Sequence, residues 1–315
     1  MPLNFKSSLR ATRRAPALRS GDIVGVVAPA RWLDEHAVDL ALQRLLGDRF
    51  GVRRAPELAL RLHQFAGSDV DRIGALETMF ADPAVKAIIC AAGGYGSPRI
   101  VDALDYGLIG RNPKRFVGYS DVTALLLGIA QQAGLETYHG PMLVDAAGDL
   151  AEASRIHLVA TLTDEPASAA AAELLVAAQV LRAGRAEGRL IGGNLTLLVN
   201  MIGTRTDFDP AGAILFLEDV DEHLYHIDRM LVHLRRAGKL AGIAALLIGE
   251  MTRLKDNAIP FGATVEAMAL EQLGDADIPI VANFPCGHGR RQMTLPIGAH
   301  ARLACSGDRI DFEIV

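Results

Sequence analysis

The sequence predicts an α/β protein built on a parallel sheet, and three observations point to it. From Gly21 onward, short β-branched runs alternate with longer stretches of helical apolar spacing. Several runs are apolar throughout, as strands covered on both faces must be; Ile23-Val24-Gly25-Val26-Val27 is the clearest. Glycine-bearing turns, Gly93-Gly94-Tyr95-Gly96 and Gly118-Tyr119-Ser120, follow directly on such runs, where α/β proteins carry their functional loops.

Taken in order, the run 23–27 ends in Ala28-Pro29-Ala30, and Val38, Leu42, Leu45 and Leu46 then form the apolar side of a helix. Ser68 followed by Asp71 marks a helix start, with Ile73, Leu76 and Phe80 at helical spacing beyond it. Strands are expected over 85–91 and 115–119, and a helix over 122–132 that Gly134 ends. Composition then shifts, with Asp164-Glu165-Pro166 ahead of the run Ala169-Ala170-Ala171-Ala172. This places a domain over 17–162, a helical connection over 163–188, and a second domain over 189–315. In the second domain strands are expected over 213–217, 243–248 and 278–282, with helices over 222–236 and 262–273 between them. Leu224, Ile227, Leu231 and Leu234 share one face of the first of these helices. Short strands over 293–295, 301–304 and 310–314 close the chain.

Composition excludes several classes of function. Of the 315 residues 50% are hydrophobic and 22% charged, enough to bury cores and too apolar for dominant disorder. Uncharged runs fall short of the roughly 18 residues that span a bilayer, so no membrane partner is expected. The 32 Lys and Arg are outnumbered by 37 Asp and Glu, which argues against nucleic acid as a partner. Cys90, Cys286 and Cys305 are widely spaced and form no Cys-x-x-Cys, which fits a reducing cytoplasm. Lys6, Arg10, Arg13, Arg14 and Arg19 precede any acid, without the apolar segment of a secretion signal; residues 1 to about 16 read as a solvated basic arm.

Four local features carry residue types suited to chemistry. In Phe116-Val117-Gly118-Tyr119-Ser120-Asp121-Val122 a strand turns into a helix with serine at the corner, the setting of a nucleophile elbow. Such a turn exposes the serine oxygen and aims the next amide, that of Asp121, at the bound group. Val122 replaces the second glycine of Gly-x-Ser-x-Gly, and a serine that caps a helix also fits the segment. Gly93-Gly94-Tyr95-Gly96 lets backbone amides approach an oxyanion or phosphate, or is a plain turn; it lacks the dinucleotide fingerprint. Glu218 ends Ile214-Leu215-Phe216-Leu217 among Asp219, Asp221 and Glu222, so a solvated acidic turn is its other reading. His288 lies between Gly287 and Gly289 with little packing to do. His139 ends a strand in Thr137-Tyr138-His139-Gly140-Pro141 and either lines the site or packs. His223 and His226 have no recognisable third ligand, and no metal is assigned to them.

Together and in order, these segments resemble the LD-carboxypeptidase family of serine peptidases, which includes murein tetrapeptide carboxypeptidases and microcin-immunity peptidases. The matching stretches are Gly21-Asp22-Ile23-Val24-Gly25-Val26-Val27-Ala28-Pro29, Gly93-Gly94-Tyr95-Gly96, Gly118-Tyr119-Ser120-Asp121, Gly192-Gly193-Asn194-Leu195, Leu217-Glu218-Asp219 through Ile227-Asp228-Arg229, and Gly287-His288-Gly289. They cover nearly the whole chain from Leu18. The resemblance implies a Ser-His-Glu triad of Ser120, His288 and Glu218, with no cofactor and no metal. It implies an oxyanion held by the Asp121 amide and a loop amide, that of Gly94. Arg99 is the candidate partner of the substrate carboxylate, with Tyr95, Tyr119 and His139 as further contacts. The implied fold is an N-terminal doubly wound sheet of the class I glutamine amidotransferase type, carrying the serine, and a C-terminal mixed α/β domain carrying Glu218 and His288. The implied substrate is a murein-derived tetrapeptide with a C-terminal D-amino acid, cut in the cytoplasm by a homodimer. In one departure, Ala92 stands where an arginine commonly precedes the Gly-rich loop. Two other functions are weighed beside this one: a microcin-immunity-like hydrolase of peptidyl or aminoacyl nucleotide analogues, and a non-catalytic anion-binding protein.

Overall fold

A computed structural model describes residues 11–315. Thirteen strands appear in chain order: β1 (Ile23–Val27), β2 (Gly51–Arg54), β3 (Val85–Cys90), β4 (Arg115–Gly118), β5 (Thr137–His139), β6 (Gln179–Arg182), β7 (Gly184–Asn194), β8 (Ile214–Val220), β9 (Ala245–Thr252), β10 (Ile280–Gly287), β11 (Leu295–Ile297), β12 (His300–Ser306) and β13 (Arg309–Ile314). They form two sheets, of order β11-β5-β4-β3-β1-β2 and β13-β12-β7-β8-β9-β10-β6.

In the first sheet β1 to β5 run parallel in the order 2-1-3-4-5, the doubly wound arrangement, with its switch point between β1 and β3. Alternation along the strands divides their side chains between two cores. Val24, Val26, Ala87, Ile89 and Val117 pack with Val38, Leu42 and Leu45 of the helix Glu35–Leu46. Val27, Val85, Ile88 and Phe116 face the other way, onto Leu76 and Phe80 of the helix Asp69–Ala81 and Leu125, Leu126 and Ile129 of the helix Thr123–Ala133. The helix at 69 begins with a capping box: Ser68 Oγ accepts from Asp71 N and the Asp71 carboxylate accepts from Ser68 N. Gly134, left-handed at φ 65°, ends the helix at 123–133.

The second sheet is mixed. β7 to β10 are parallel, while β6, β12 and β13 pair antiparallel at its edges. Leu190, Leu215, Leu247 and Val281 of this sheet belong to the same continuous core as Phe116 and Leu125. The two sheets therefore share one apolar interior.

Three local features depart from the sequence reading. Residues 163–188 hold more than a helical connection: beyond the helix Ser168–Leu175, β6 pairs with β10 and the first part of β7 pairs with β12. Leu295–Ile297 pairs with β5, so a short strand late in the chain completes the first sheet. Within the described residues the basic arm is tied to the fold and not free in solvent. Thr12 Oγ1 donates to Gly298 O, Arg13 N donates to Gly134 O, and Arg14 pairs with Glu136 at 2.9 Å. These bonds fasten 12–14 along the edge near β5 and β11; Lys6 and Arg10 lie outside the described residues.

Candidate active site

Ser120, Glu218 and His288 all lie at carboxyl ends of parallel strands, where the two sheets meet. β4 ends at Gly118, Tyr119 is fully extended, and Ser120 turns left-handed at φ 61° before the helix at 123. The Ser120 side chain caps no helix; its Oγ lies 3.0 Å from His288 Nε2. His288 Nδ1 is 2.8 Å from Glu218 Oε2. Glu218 is wholly buried, which replaces the solvated acidic turn with a carboxylate whose bonded partner is the imidazole. Burial alone would lower the pKa of His288. The Glu218 carboxylate, with Asp145 and Asp219 adding to it, reverses that and holds the ring above its ordinary value.

The Gly-rich loop after β3 is built against this serine. A Cβ on Gly93 would lie 3.1 Å from Ser120 Cβ and 3.3 Å from both Ser120 Oγ and Asp121 N. The buried Asp121 carboxylate accepts from Gly96 N at 3.2 Å and Ser97 N at 2.8 Å, tying elbow and loop together. The Asp121 amide and the loop amides thus border one space beside Oγ, an arrangement able to receive an oxyanion.

The substrate contacts expected from the sequence are distributed differently. Tyr95 is 47% exposed at the loop, with its ring 5.9 Å from that of Phe65. Tyr119 is buried: its ring lies 4.8 Å from that of His288 and its Oη donates to Asp145 Oδ1 at 2.6 Å, so it backs the imidazole. His139 is buried one layer deeper, between the Tyr119 and Phe216 rings, and burial pushes its pKa down to about 4. Arg99 closes a two-pronged pair with Asp69, at 3.0 and 2.8 Å, which occupies the fork assigned to a substrate carboxylate.

Residues not singled out in the sequence complete the surroundings. Arg291 pairs with Glu250 at 2.7 Å, and the Glu250 carboxylate fills the space beside Gly289. Asp219 accepts from Asn194 Nδ2 and from Thr196, anchoring the end of β7 beside the triad; burial, then the Glu218 charge, raises its pKa to about 6. These pairings join residues tens of positions apart, so no local spacing signals them. His226 bonds Glu222 at 2.7 Å, and among the described residues no three His, Cys, Asp or Glu are grouped to hold a metal ion. A cavity of about 1020 Å³ beside Arg115, Tyr138, His157 and Phe312 contains no member of the triad. The hydrogen-bonded line, rather than cavity size, locates the site.

Comparison with known proteins identifies the family. Residues 24–140 match the model of the LD-carboxypeptidase N-terminal domain and residues 187–303 that of the LD-carboxypeptidase C-terminal domain. A probable murein peptide carboxypeptidase of Bacillus subtilis is 38% identical over 301 residues, covering 91% of this chain and 90% of that one. The crystal structure of muramoyltetrapeptide carboxypeptidase from Oxalobacter formigenes superposes with a TM-score of 0.81 at 29% identity, over 93% of this chain and 98% of that one. The microcin C7 self-immunity protein MccF, at 23% identity and a TM-score of 0.83 over 92% and 95% of the two chains, shares the fold.

Proposed function

The chain belongs to the LD-carboxypeptidase family of serine peptidases, and from that premise we propose that it hydrolyses the bond between an L-configured centre and the C-terminal D-amino acid of murein-derived tetrapeptides. The observation that carries the reading is the unbroken line from Glu218 through His288 to Ser120. The names of the Bacillus and Oxalobacter proteins point to the same substrate class.

In this reading His288 Nε2 takes the proton of Ser120 Oγ as the oxygen attacks the scissile carbonyl carbon. The oxyanion formed is met by the Asp121 amide and a loop amide, that of Gly94. Glu218 fixes the imidazole tautomer and stabilises the imidazolium. His288 then returns the proton to the departing amine of the D-amino acid. Water, deprotonated by the same imidazole, cleaves the acyl-enzyme and restores Ser120. The cytoplasm as workplace is supported by three buried free thiols. Homodimerisation rests on the family resemblance, and light scattering should give twice the chain mass of 33.6 kDa.

The test is a set of three peptides. A tetrapeptide ending in D-alanine should lose only that residue, while its C-terminal amide and its all-L diastereomer should be cut far more slowly. Equal kcat/KM for acid and amide would leave a general amide hydrolase in place of a carboxypeptidase.

A further inference from the structure

We propose that Arg31 binds the free α-carboxylate of the departing D-amino acid and so determines that the enzyme acts on chain ends. The proposal rests on the peptidase reading above.

Arg31 follows β1 and the Gly93-Gly94 turn follows β3, so the two meet at the switch point of the doubly wound sheet, where such folds bind their ligands. Arg31 N donates to Gly93 O at 3.4 Å. Its side-chain stem crosses Gly94 so closely that a Cβ there would lie 2.8 Å from Arg31 Cδ and 3.2 Å from Cγ. On the neighbouring residue, a Cβ at Gly93 would lie 3.3 Å from Ser120 Oγ. Successive Cα atoms are about 3.8 Å apart, so the arginine stem and the nucleophile flank a single peptide step. The substrate has the same spacing: its terminal carboxylate lies one residue beyond the carbonyl carbon that Ser120 attacks.

The charge of Arg31 is also uncommitted. Other arginines around the site are engaged: Arg72 and Arg99 with Asp69, Arg253 with Asp221, and Arg291 with Glu250. Arg31 is exposed, and among the described residues its guanidinium has neither an ion pair nor a hydrogen bond. It is joined to Phe65 by a backbone bridge, and Phe65 contacts the half-exposed Tyr95 ring. A free guanidinium on this edge of the site suits a residue that ends in a carboxylate, because its planar fork can hold both oxygens in charge-assisted bonds.

The experiment compares kcat/KM for the D-alanine-terminated tetrapeptide and its C-terminal amide in wild type, Arg31→Ala and Arg31→Lys. Arg31→Ala should lose about 10- to 100-fold on the acid, the range for a hydrogen bond to a charged group, and leave the slow amide reaction unchanged. Arg31→Lys should recover part of the loss, since it restores charge without the fork. In the Ser120→Ala background, calorimetry should show the same selective loss of affinity for the acid when Arg31→Ala is added. Equal losses on acid and amide would reduce Arg31 to a support of the loop, and no loss would place the carboxylate elsewhere; either result overturns the proposal alone. A wild-type enzyme that cuts neither peptide would overturn the peptidase reading and this proposal with it.

Discussion

Ser120 sits in a left-handed backbone conformation, φ 61°, that costs a non-glycine residue about 1–3 kcal/mol. The turn holds it there through the Asp121 carboxylate, which bonds two amides of the Gly-rich loop. Ser120→Ala should therefore fold normally and lose several orders of magnitude in kcat. Ser120→Gly, equally inactive, should need more denaturant to unfold than Ser120→Ala, because glycine tolerates φ above zero. The pH profile follows from His288. Its pKa is raised, and only the neutral ring accepts the serine proton, so kcat/KM should fall as pH drops through a value above the ordinary 6.5 or so of histidine. Glu218→Gln removes the charge that raises it. The residual activity of that variant should persist to lower pH than the wild-type limb; an unmoved limb would detach Glu218 from the imidazole. The sequence made Ser120, Glu218 and His288 legible because each stands in a short motif at a strand end. Arg99 illustrates the opposite case, since its pairing with Asp69 joins positions 30 apart and depends on how two helices pack.

At the level of elements, the regular strands and helices were legible where one apolar period ran long enough. β1, β3 and β4 are apolar throughout or nearly so, and the helix Leu224–Arg236 buries Ile227, Leu231 and Leu234 on the face read from spacing. β6 and β11 were not placed in their sheets, for a physical reason. Each is four residues or fewer at an edge, too short to show a period: β6 is half exposed, while β11 is buried but only three residues long, and Pro296 is tolerated in it because an edge strand can leave a donor unpaired. The loop that carries His288 is likewise held by tertiary contacts. A Cβ on Gly289 would fall 1.1 Å from Glu250 Oε2, so Gly289→Ala must displace the carboxylate that Arg291 holds. Gly289 adjoins His288 in the chain, so backbone movement that relieves the clash would shift the ring. We expect kcat to fall on the order of 100-fold, as for an ångström of misplacement, with KM little changed. Steady-state kinetics decides this, and wild-type kcat in Gly289→Ala would show that the brace does not position the ring.

Across the whole molecule, the triad is divided between the sheets: Ser120 follows the first, while Glu218 and His288 belong to the second. Under the proposed mechanism these three residues act without a metal, so EDTA should leave the rate unchanged; a loss restored by zinc would redirect attention to His223 and His226. The proposed mechanism requires the two sheets to keep a fixed separation, and one contact between them lies beside the elbow. Thr123, the first residue of the helix after Ser120, accepts from Asn194 N at 3.1 Å, and Gly193 lies beneath the same threonine. A Cβ on Gly193 would approach Thr123 Cγ2 to 2.6 Å and Oγ1 to 2.7 Å, at a φ of +142° that other residues rarely adopt. Both atoms belong to a fully buried side chain, so the clash can be relieved only by moving the helix or β7. Either movement stretches the 3.0 Å Ser120–His288 contact, which has little length to spare before it ceases to be a hydrogen bond. Gly193→Ala should therefore lower kcat far more than it raises KM, and reduce the melting temperature as a strained core substitution does. Thr123→Ser removes Cγ2 and keeps the bond to Asn194, so adding it to Gly193→Ala should recover part of the lost kcat. If Gly193→Ala turns over like wild type, the spacing of the triad is set elsewhere along the shared core.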